Sequence, residues 1–409
     1  MMNKRVVLAS AFILAAGSAH ASGWRIPEQS VNATARSGGY VAHTPGADAA
    51  YYNPANLSWQ EDRGLLELAA TWIHLGSISY SDNRTPAFDG ASEKENFLLP
   101  TFFAVSPEYG DFRVGLALTA PAGLSKQWKQ PFPRTTAEEF TLEVFELNPT
   151  LSYRFCEQFS VAAGLRVLYA DGKVKSSGMI PGGYTVSRDM DGDSWEGGFN
   201  LAMSARPMEA LSLAVTYRSK VDLGVSGHAE LATSAGPASY SGDAEVSIPV
   251  PAVLSLAAAY TFFEQLTVEL EYERTYWSEY EQLDFNYPVP LGNPVLSAAF
   301  DRPLARNWSD TDTYRISLEY DCQNDLILMA GFAIDENPAP DAHLGFELPD
   351  SDAKLYSLGL RYRVNQDLEL GLAYLYDDKE SRAGTNDIID GNFDDALAHL
   401  VTVGLSWKL

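Results

Sequence analysis

Stretches of about ten residues that alternate apolar and polar side chains recur along the chain from about residue 65. In the last stretch, Val401, Val403 and Leu405 fall on one face, and Thr402 and Gly404 fall on the other. Successive side chains of a β-strand point to opposite faces, so each of these stretches predicts a strand with one face suited to lipid. Repeats of this kind are typical of transmembrane β-barrels.

The connections between these stretches alternate in length. Short turns are predicted at 106–111, 154–159, 205–210, 261–266, 320–325 and 363–368. Longer connections, rich in Gly, Pro, Asp and Ser, are predicted at 172–193, 222–246, 278–311 and 377–396. Short turns on one rim and long loops on the other are the asymmetry of an outer-membrane barrel.

The pattern predicts an all-β fold with an even number of strands. The predicted strands are 65–80, 96–106, 111–121, 140–154, 158–174, 194–205, 210–222, 246–262, 265–278, 312–321, 325–336, 353–364, 367–378 and 396–409. We therefore expect residues 64–409 to form a 14-stranded antiparallel transmembrane β-barrel.

Residues 1–21 have the pattern of a secretory signal peptide, in which Lys4 and Arg5 precede an apolar run and a small-residue site at 19–21. The apolar run is shorter than the roughly 20 residues that a transmembrane helix needs, and no later uncharged segment reaches that length. Without this leader, the chain has 27 basic and 54 acidic residues. Such a charge repels nucleic acid and excludes a nucleic-acid partner.

The residues that could carry chemistry are scattered. Cys156 and Cys322 fall in short turns on separate predicted hairpins, so we expect free thiols. No histidine spacing is typical of a metal site, and we expect neither a metal nor another cofactor. We expect His74, His228 and His399 to lie on distant strands or loops, which argues against an enzyme such as a barrel phospholipase.

Residues 22–63 precede the predicted barrel and contain Asn53, Pro54 and Ala55, which follow the stretch 46–50. This arrangement resembles the hatch motif of the FadL family of outer-membrane long-chain fatty-acid transporters. Further stretches that resemble the family, in matching order, are 120–124 with Trp128, 145–149, 313–316, 331–338 and 348–350. The resemblance covers nearly the whole chain after the leader.

The resemblance implies that residues 22–63 form a hatch that plugs the barrel lumen. It also implies a kink in the third strand that opens a lateral window in the barrel wall. Pro121 has no N–H for the sheet and Gly123 weakens a strand, so a gap at this place is also expected from the residues themselves. The alternative is that the strand ends at Thr119 and a loop follows.

Lumen-facing positions of one late strand are apolar, where a water-filled porin would carry charges. They are Ile327, Met329, Gly331 and Ala333. They favour an apolar cargo, whose carboxylate would bind a basic side chain through a charge-assisted hydrogen bond. The candidates are Arg166, Lys173, Lys175 and Arg315. The alternative for these bases is an ion pair with inward-facing acids or with the hatch.

The sequence therefore predicts a monomeric outer-membrane barrel that passes long-chain fatty acids or similar hydrophobic molecules by passive lateral diffusion. Its expected partners are outer-membrane lipid, lipopolysaccharide and the barrel-assembly machinery. One alternative, within the same fold, is a channel for aromatic or alkane hydrocarbons, which needs no carboxylate anchor. The others are a polar-solute porin and a surface receptor that acts through its acidic loops.

Overall fold

The structure is a computed structural model that describes residues 23–237 and 239–409. The leader predicted for residues 1–21 lies outside the described residues. None of the helices in the described part of the chain is both long and apolar enough to cross a bilayer.

Fourteen antiparallel strands form one closed sheet. They are β1 Leu65–Leu75, β2 Glu95–Val105, β3 Phe112–Gln127, β4 Glu139–Cys156, β5 Phe159–Ile180, β6 Tyr184–Met208, β7 Leu211–Arg218 with Val221–Thr233, β8 Tyr240–Val250 with Val253–Phe262, β9 Leu266–Thr275, β10 Thr311–Asp321, β11 Leu326–Asp335, β12 Ala353–Arg363, β13 Leu368–Lys379 and β14 Leu397–Lys408. β1 pairs with β14 along its whole length, from Leu65 opposite Lys408 to Leu75 opposite Ala398. This pairing closes the barrel.

Short elements occupy the N-terminal segment and the long connections. The α-helices are α1 Val31–Ala35, α2 Ala49–Tyr52, α3 Pro131–Ala137 and α4 Pro294–Phe300, and the 3-10 helices are Pro54–Trp59, Pro86–Phe88, Trp277–Glu279 and Asp341–His343. The strands Ser79–Asp82, Gly90–Ala91, Arg382–Thr385 and Asp390–Asp394 form a separate sheet, Gln282–Leu283 pairs with Leu304–Ala305, and Phe285–Asn286 pairs with β8.

The predicted fold class, the strand number and the six short turns are confirmed. So is the assignment of the two faces: on β13 the outward Leu370 and Leu372 are exposed, while on β14 the inward Thr402 and Gly404 are buried. The reason is that every barrel strand separates lipid from lumen, so its side chains must alternate.

The long loops predicted at 172–193 and 222–246 are wrong, because both regions are largely strand. β5 has 22 residues and β6 has 25, whereas a strand needs only about 9–11 residues to cross a membrane. The extra length projects beyond the bilayer, where the outer face meets water. The outer face there carries polar residues, as with the exposed Asp222 beside the buried Leu223, so the apolar outward face that identifies a membrane strand is absent.

Residues 45–60, which carry neither a strand nor a helix period, form two short helical turns. Alanines favour the first, α2, and Pro54 begins the second with its fixed backbone angle. Asn53 lies between them, and its side-chain oxygen accepts a hydrogen bond from the Ala55 N–H at 3.1 Å. The sequence 45–60 is thus a compact helical corner.

The segment 23–63 lies inside the barrel and is held there by buried charges. The Glu269 carboxylate on β9 accepts hydrogen bonds from the backbone N–H groups of Val41, Ala42 and His43 at 2.7, 2.7 and 3.0 Å. It also pairs with the Arg36 guanidinium at 2.8 Å. Both side chains of this ion pair are fully buried.

Arg113 on β3 holds the other end of this segment. The residue is 1% exposed, and its guanidinium donates to main-chain carbonyls at 2.6–3.1 Å. The acceptors are Leu57, Gln60, Glu61, Arg63 and Ser106. A guanidinium has five N–H donors in a fixed fork, so this one side chain ties together the last turn of the segment.

We predict that Glu269→Gln loosens the middle of the segment without unfolding the barrel. The change removes the buried charge pair and one of the acceptor positions, a loss of about 1–3 kcal/mol. Hydrogen exchange at the amides of residues 41–43 should accelerate about ten- to hundredfold. The matched control is Glu380→Gln, which breaks the exposed pair with Lys354. Unchanged exchange in Glu269→Gln would contradict the anchoring role.

Candidate functional site

The barrel wall has a gap between β2 and β3. The two strands pair only from Phe102 opposite Leu118 to Val105 opposite Gly115. Past Leu118, β3 changes register against β4 between Thr119 and Ala122 but continues to Gln127. The alternative that the strand ends at Thr119 is therefore wrong.

The two strands approach each other again above the gap. The Glu93 N–H donates to the Gln127 carbonyl at 2.9 Å, and Ser92 forms a bridge with Trp128. An opening, which we call the window, is thus bounded by residues 94–101 on one side and 119–126 on the other. At about 3.3 Å per residue, its β3 edge is roughly 25 Å long.

A short N-terminal stretch, residues 24–29, lies along the β3 edge of the window, and we call it the strap. The Ile26 N–H donates to the Pro121 carbonyl, and the Gly123 N–H donates to the Trp24 carbonyl, both at 2.9 Å. The Gln29 side chain bonds both the N–H and the carbonyl of Ala120, at 2.7 and 2.9 Å. The strap therefore supplies the hydrogen bonds that β2 does not supply here.

Trp24 attaches the strap to the long connection between β9 and β10. Its indole packs against Trp277, Tyr280 and Trp308, with ring centroids 4.6, 5.1 and 4.8 Å away. The next residue, Arg25, pairs with Glu273 on β9 at 2.8 Å. Aromatic packing and one ion pair thus hold the strap across the lumen.

A cavity of about 480 Å³ lies behind the window, bounded by the strap and by inner faces of the barrel. This volume is within the usual range for small-molecule sites. Its walls are mostly apolar and include Ile73, Phe97, Leu99, Ala122, Leu124, Leu355 and Leu400. Such a cavity suits an apolar molecule.

Charged groups also line this cavity. The bases are Arg25, Lys126, Arg315 and Lys379, and the acids include Glu28, Asp335, Asp350 and Asp377. Burial raises the pKa of the Glu28 carboxyl, on the strap, to about 7. The cavity therefore combines an apolar lining with a small number of polar groups able to orient a ligand.

The structure places one of the four predicted carboxylate ligands at this cavity. Arg315 lines it, although its guanidinium already pairs with Glu271 and Glu273 at 3.2 Å. The other three are not among the residues that line it. Arg166 is buried in a pair with Glu146 at 2.9 Å, while Lys173 and Lys175 pair with Glu139 and Asp189 at 3.3 and 2.8 Å.

Two cavity lysines were missed by the sequence analysis. Lys126 lies beyond the predicted end of the third strand at 121, and Lys379 lies one residue beyond the predicted end of the thirteenth at 378. Both follow stretches where the alternation fades, so no face could be assigned to them. Continued pairing of β3 with β4, which the sequence does not display, is what turns Lys126 inward.

The inward apolar residues of β11 contact the N-terminal segment as well as the cavity. Met329 packs against Val31 and Ala35 of α1, and a Cβ at Gly331 would lie 2.2 Å from the Arg36 carbonyl carbon. Ala333 lines the cavity behind the window. Ile327 lies at a separate cavity of about 610 Å³, which many charged side chains also line. Contact with the segment therefore explains much of the apolar character that the sequence analysis attributed to cargo.

The Asn53, Pro54 and Ala55 motif is buried against the barrel. The Asn53 amide donates to the Val41 carbonyl at 2.7 Å and to the Ser204 hydroxyl at 2.8 Å. The Ala55 carbonyl accepts from the Ser160 hydroxyl at 2.8 Å. The motif joins two parts of the N-terminal segment to the inner faces of β5 and β6.

The expectation that the histidines lie far apart is wrong for one pair. Closure of the barrel sets His74 on β1 directly opposite His399 on β14, with ring centroids 6.1 Å apart. Both rings share the outward face with Trp72 and Val401, so they do not line the lumen. Cys156 and Cys322 are unpaired in the described chain, as expected.

A closed 14-stranded barrel with an apolar outer belt, and with an apolar cavity behind an opening in its wall, defines an outer-membrane transport barrel. The family comparison agrees: residues 12–402 match "Outer membrane protein transport protein (OMPP1/FadL/TodX)". The match spans most of the chain, and the chain belongs to this family.

Relatives and solved structures resemble the chain over most of its length. It is 24% identical to outer membrane protein P1 of Haemophilus influenzae, covering 90% of this chain and 89% of the relative. It is 23% identical to the long-chain fatty acid transport protein of Escherichia coli strain K12, covering 90% and 91%. A FadL homologue of Pseudomonas aeruginosa superposes with a TM-score of 0.83 at 19% identity, over 95% and 100% of the two chains. The Pseudomonas putida toluene transporter TodX gives 0.73 at 18%, over 93% and 98%.

We predict that Trp24→Ala releases the strap while the barrel stays folded. Truncation of a packed tryptophan costs about 3–5 kcal/mol, and the few hydrogen bonds to β3 do not replace that packing. Trypsin should then cleave after Arg25, which the wild-type protein protects, and mass spectrometry would identify the new terminus. Trp195→Ala, at a 69% exposed tryptophan, is the control. Equal protection of Arg25 in Trp24→Ala would show that the aromatic cluster does not hold the strap.

Proposed function

We propose that this protein carries long-chain fatty acids or similar hydrophobic molecules across the outer membrane by passive diffusion, and that the cargo leaves sideways through the window. The observation that carries this proposal is the apolar cavity directly behind the window. A hydrophobic molecule bound there is next to the lipid. It need not cross the periplasmic half of the lumen, which the N-terminal segment fills.

In this proposal residues 22–63 act as a hatch, anchored by Asn53, Pro54 and Ala55, and residues 64–409 form the barrel around it. The window at Pro121 and Gly123 is the lateral exit. Cargo in the cavity displaces the strap, which then uncovers the β3 edge of the window. Buried ion pairs and Arg113 hold the rest of the hatch in place.

The same proposal includes how the protein is exported, how it is inserted and which lipids it contacts. Residues 1–21 are removed as a signal peptide, and the barrel-assembly machinery inserts the remainder as a monomer. The outward belt then contacts lipid, and the strands that project from the membrane contact lipopolysaccharide. The protein acts as a transporter and not as an enzyme, in keeping with its family.

A channel for hydrocarbons is the second candidate, since some structural relatives are named as toluene transporters. The observation that favours fatty acids over toluene is the presence of basic side chains among the charged groups that line this mostly apolar cavity. A hydrocarbon has no group for a base to bind. The relative named as a long-chain fatty acid transport protein supports the same choice.

Binding to the detergent-purified barrel tests this proposal. A fluorescent long-chain fatty acid should bind, and oleate should displace it at micromolar concentration while toluene at the same concentration does not. Displacement by toluene and not by oleate would move the assignment to a hydrocarbon channel. The absence of any binding, together with ion conductance in a planar bilayer, would overturn the proposal in favour of a porin. The absence of both ligand binding and ion conductance would favour a surface receptor.

A further inference from the structure

The basic groups of the cavity differ in whether the protein itself neutralises them. Arg25 pairs with Glu273 at 2.8 Å, and Lys379 pairs with Asp350 at 2.6 Å. Arg315 pairs with Glu271 and also with Glu273. Three of the four bases therefore already have a carboxylate.

Lys126 is the exception. The residue is 5% exposed and lines the cavity, yet no ion pair or hydrogen bond joins its Nζ to another group in the described parts of the chain. The charged groups that act on it are Glu95, beyond ion-pair distance, and Lys379, whose charge repels it. A buried ammonium without a counterion is costly. The Lys126 ammonium lacks such a counterion, and a bound anion would supply it.

The position of Lys126 matches the geometry of an amphiphile. It stands at the upper rim of the window, next to Ser125, and the cavity below it is lined by Phe97, Leu99 and Leu124. A headgroup at the rim would place its alkyl chain along this apolar lining, beside the opening to the lipid. A neutral hydrocarbon would fill the same space and leave the ammonium unpaired.

We propose that Lys126 binds the carboxylate of the cargo and makes the cavity selective for anionic amphiphiles over neutral ones of equal chain length. This inference rests on the proposed function, because it assigns a headgroup site to the cavity of that function. Lys126 replaces Arg166, Lys173 and Lys175 in this role, since those three bases already have partners outside the cavity.

Glu95 allows a second test of this proposal, because removal of its charge should have the opposite effect on carboxylate binding. One of its carboxylate oxygens bonds the Ser125 hydroxyl, and the other has no partner among the described residues. Glu95 does not itself line the cavity, but its carboxylate lies against Ser125, beside Lys126, and its negative charge acts on Lys126 and would repel a carboxylate bound there. Removing this charge should therefore strengthen the binding that removal of Lys126 weakens. General damage to the site would weaken binding in both variants.

The test is equilibrium dialysis of the full barrel in detergent with radiolabelled oleate and, separately, with oleyl alcohol, which has the same chain and no charge. Wild type should prefer oleate. Lys126→Met should lose about tenfold in oleate affinity, the size of one charge-assisted hydrogen bond, with oleyl alcohol binding unchanged. Lys126→Arg should restore the preference, and Glu95→Gln should increase it.

The matched control is Lys173→Met, which removes a lysine of the same type outside the cavity lining and should leave both affinities unchanged. Retained binding of oleyl alcohol shows that each variant is folded. The proposal is overturned if Lys126→Met keeps the wild-type preference, if Lys173→Met loses it equally, or if oleylamine binds better than oleate. Failure of wild type to bind either ligand would instead refute the proposed function itself.

Discussion

A backbone that crosses hydrocarbon must find all its hydrogen bonds within the protein, and the rest of this structure depends on that requirement. Pairing of β1 with β14 removes the free edges that an open sheet would expose to lipid. At the window, β2 does not supply hydrogen bonds to the backbone of β3. The strap supplies them instead, because Trp24 and Ile26 are the backbone partners of Gly123 and Pro121. The strap is thus part of the wall as well as part of the plug.

The N-terminal segment is held by two kinds of contact, and the difference separates a fixed part from a movable part. The middle of the segment is tied by the buried Arg36 and Glu269 pair and its end by Arg113. Breaking such charged contacts leaves an unpaired charge in a buried position, which is strongly unfavourable. The strap is held by aromatic packing around Trp24, by a few hydrogen bonds and by one ion pair, Arg25 with Glu273, and Glu273 keeps Arg315 as a partner when Arg25 moves away. An apolar ligand can replace packing of that kind, so the strap is the part that cargo can displace.

The barrel was predictable from sequence wherever a strand separates lipid from lumen. On β9, Leu270 faces outward between the buried Glu269 and Glu271, and that contrast is visible in the residues themselves. The projecting halves of β5 and β6 were not predictable, because water on the outer face removes the contrast. Their strand character comes from pairing with each other, such as Lys175 with Asp189.

The site was less predictable than the fold. Pro121 marked the position of the window, but the strap pairs with β3 across nearly a hundred residues of sequence, and no local pattern records that contact. Arginines chosen by strand parity do face inward, yet parity cannot show that Arg166 is already paired with Glu146. Lys126 lay past the end of the recognisable strand. Only the three-dimensional structure distinguishes it, because Arg25, Arg315 and Lys379 have carboxylate partners there and Lys126 does not.

The central claim is that cargo leaves through the window in the wall, and the most direct measurement is the position of cargo in the membrane-embedded protein. A fatty acid with a photoreactive diazirine along its chain would be bound to the protein in outer-membrane vesicles and cross-linked by light, and the adducts mapped by mass spectrometry. The account predicts adducts at 97–99 and 122–124, on the two sides of the window. Adducts concentrated instead around the second cavity, at Trp59, Ile327 and Trp407, would show a path straight through the barrel and contradict it.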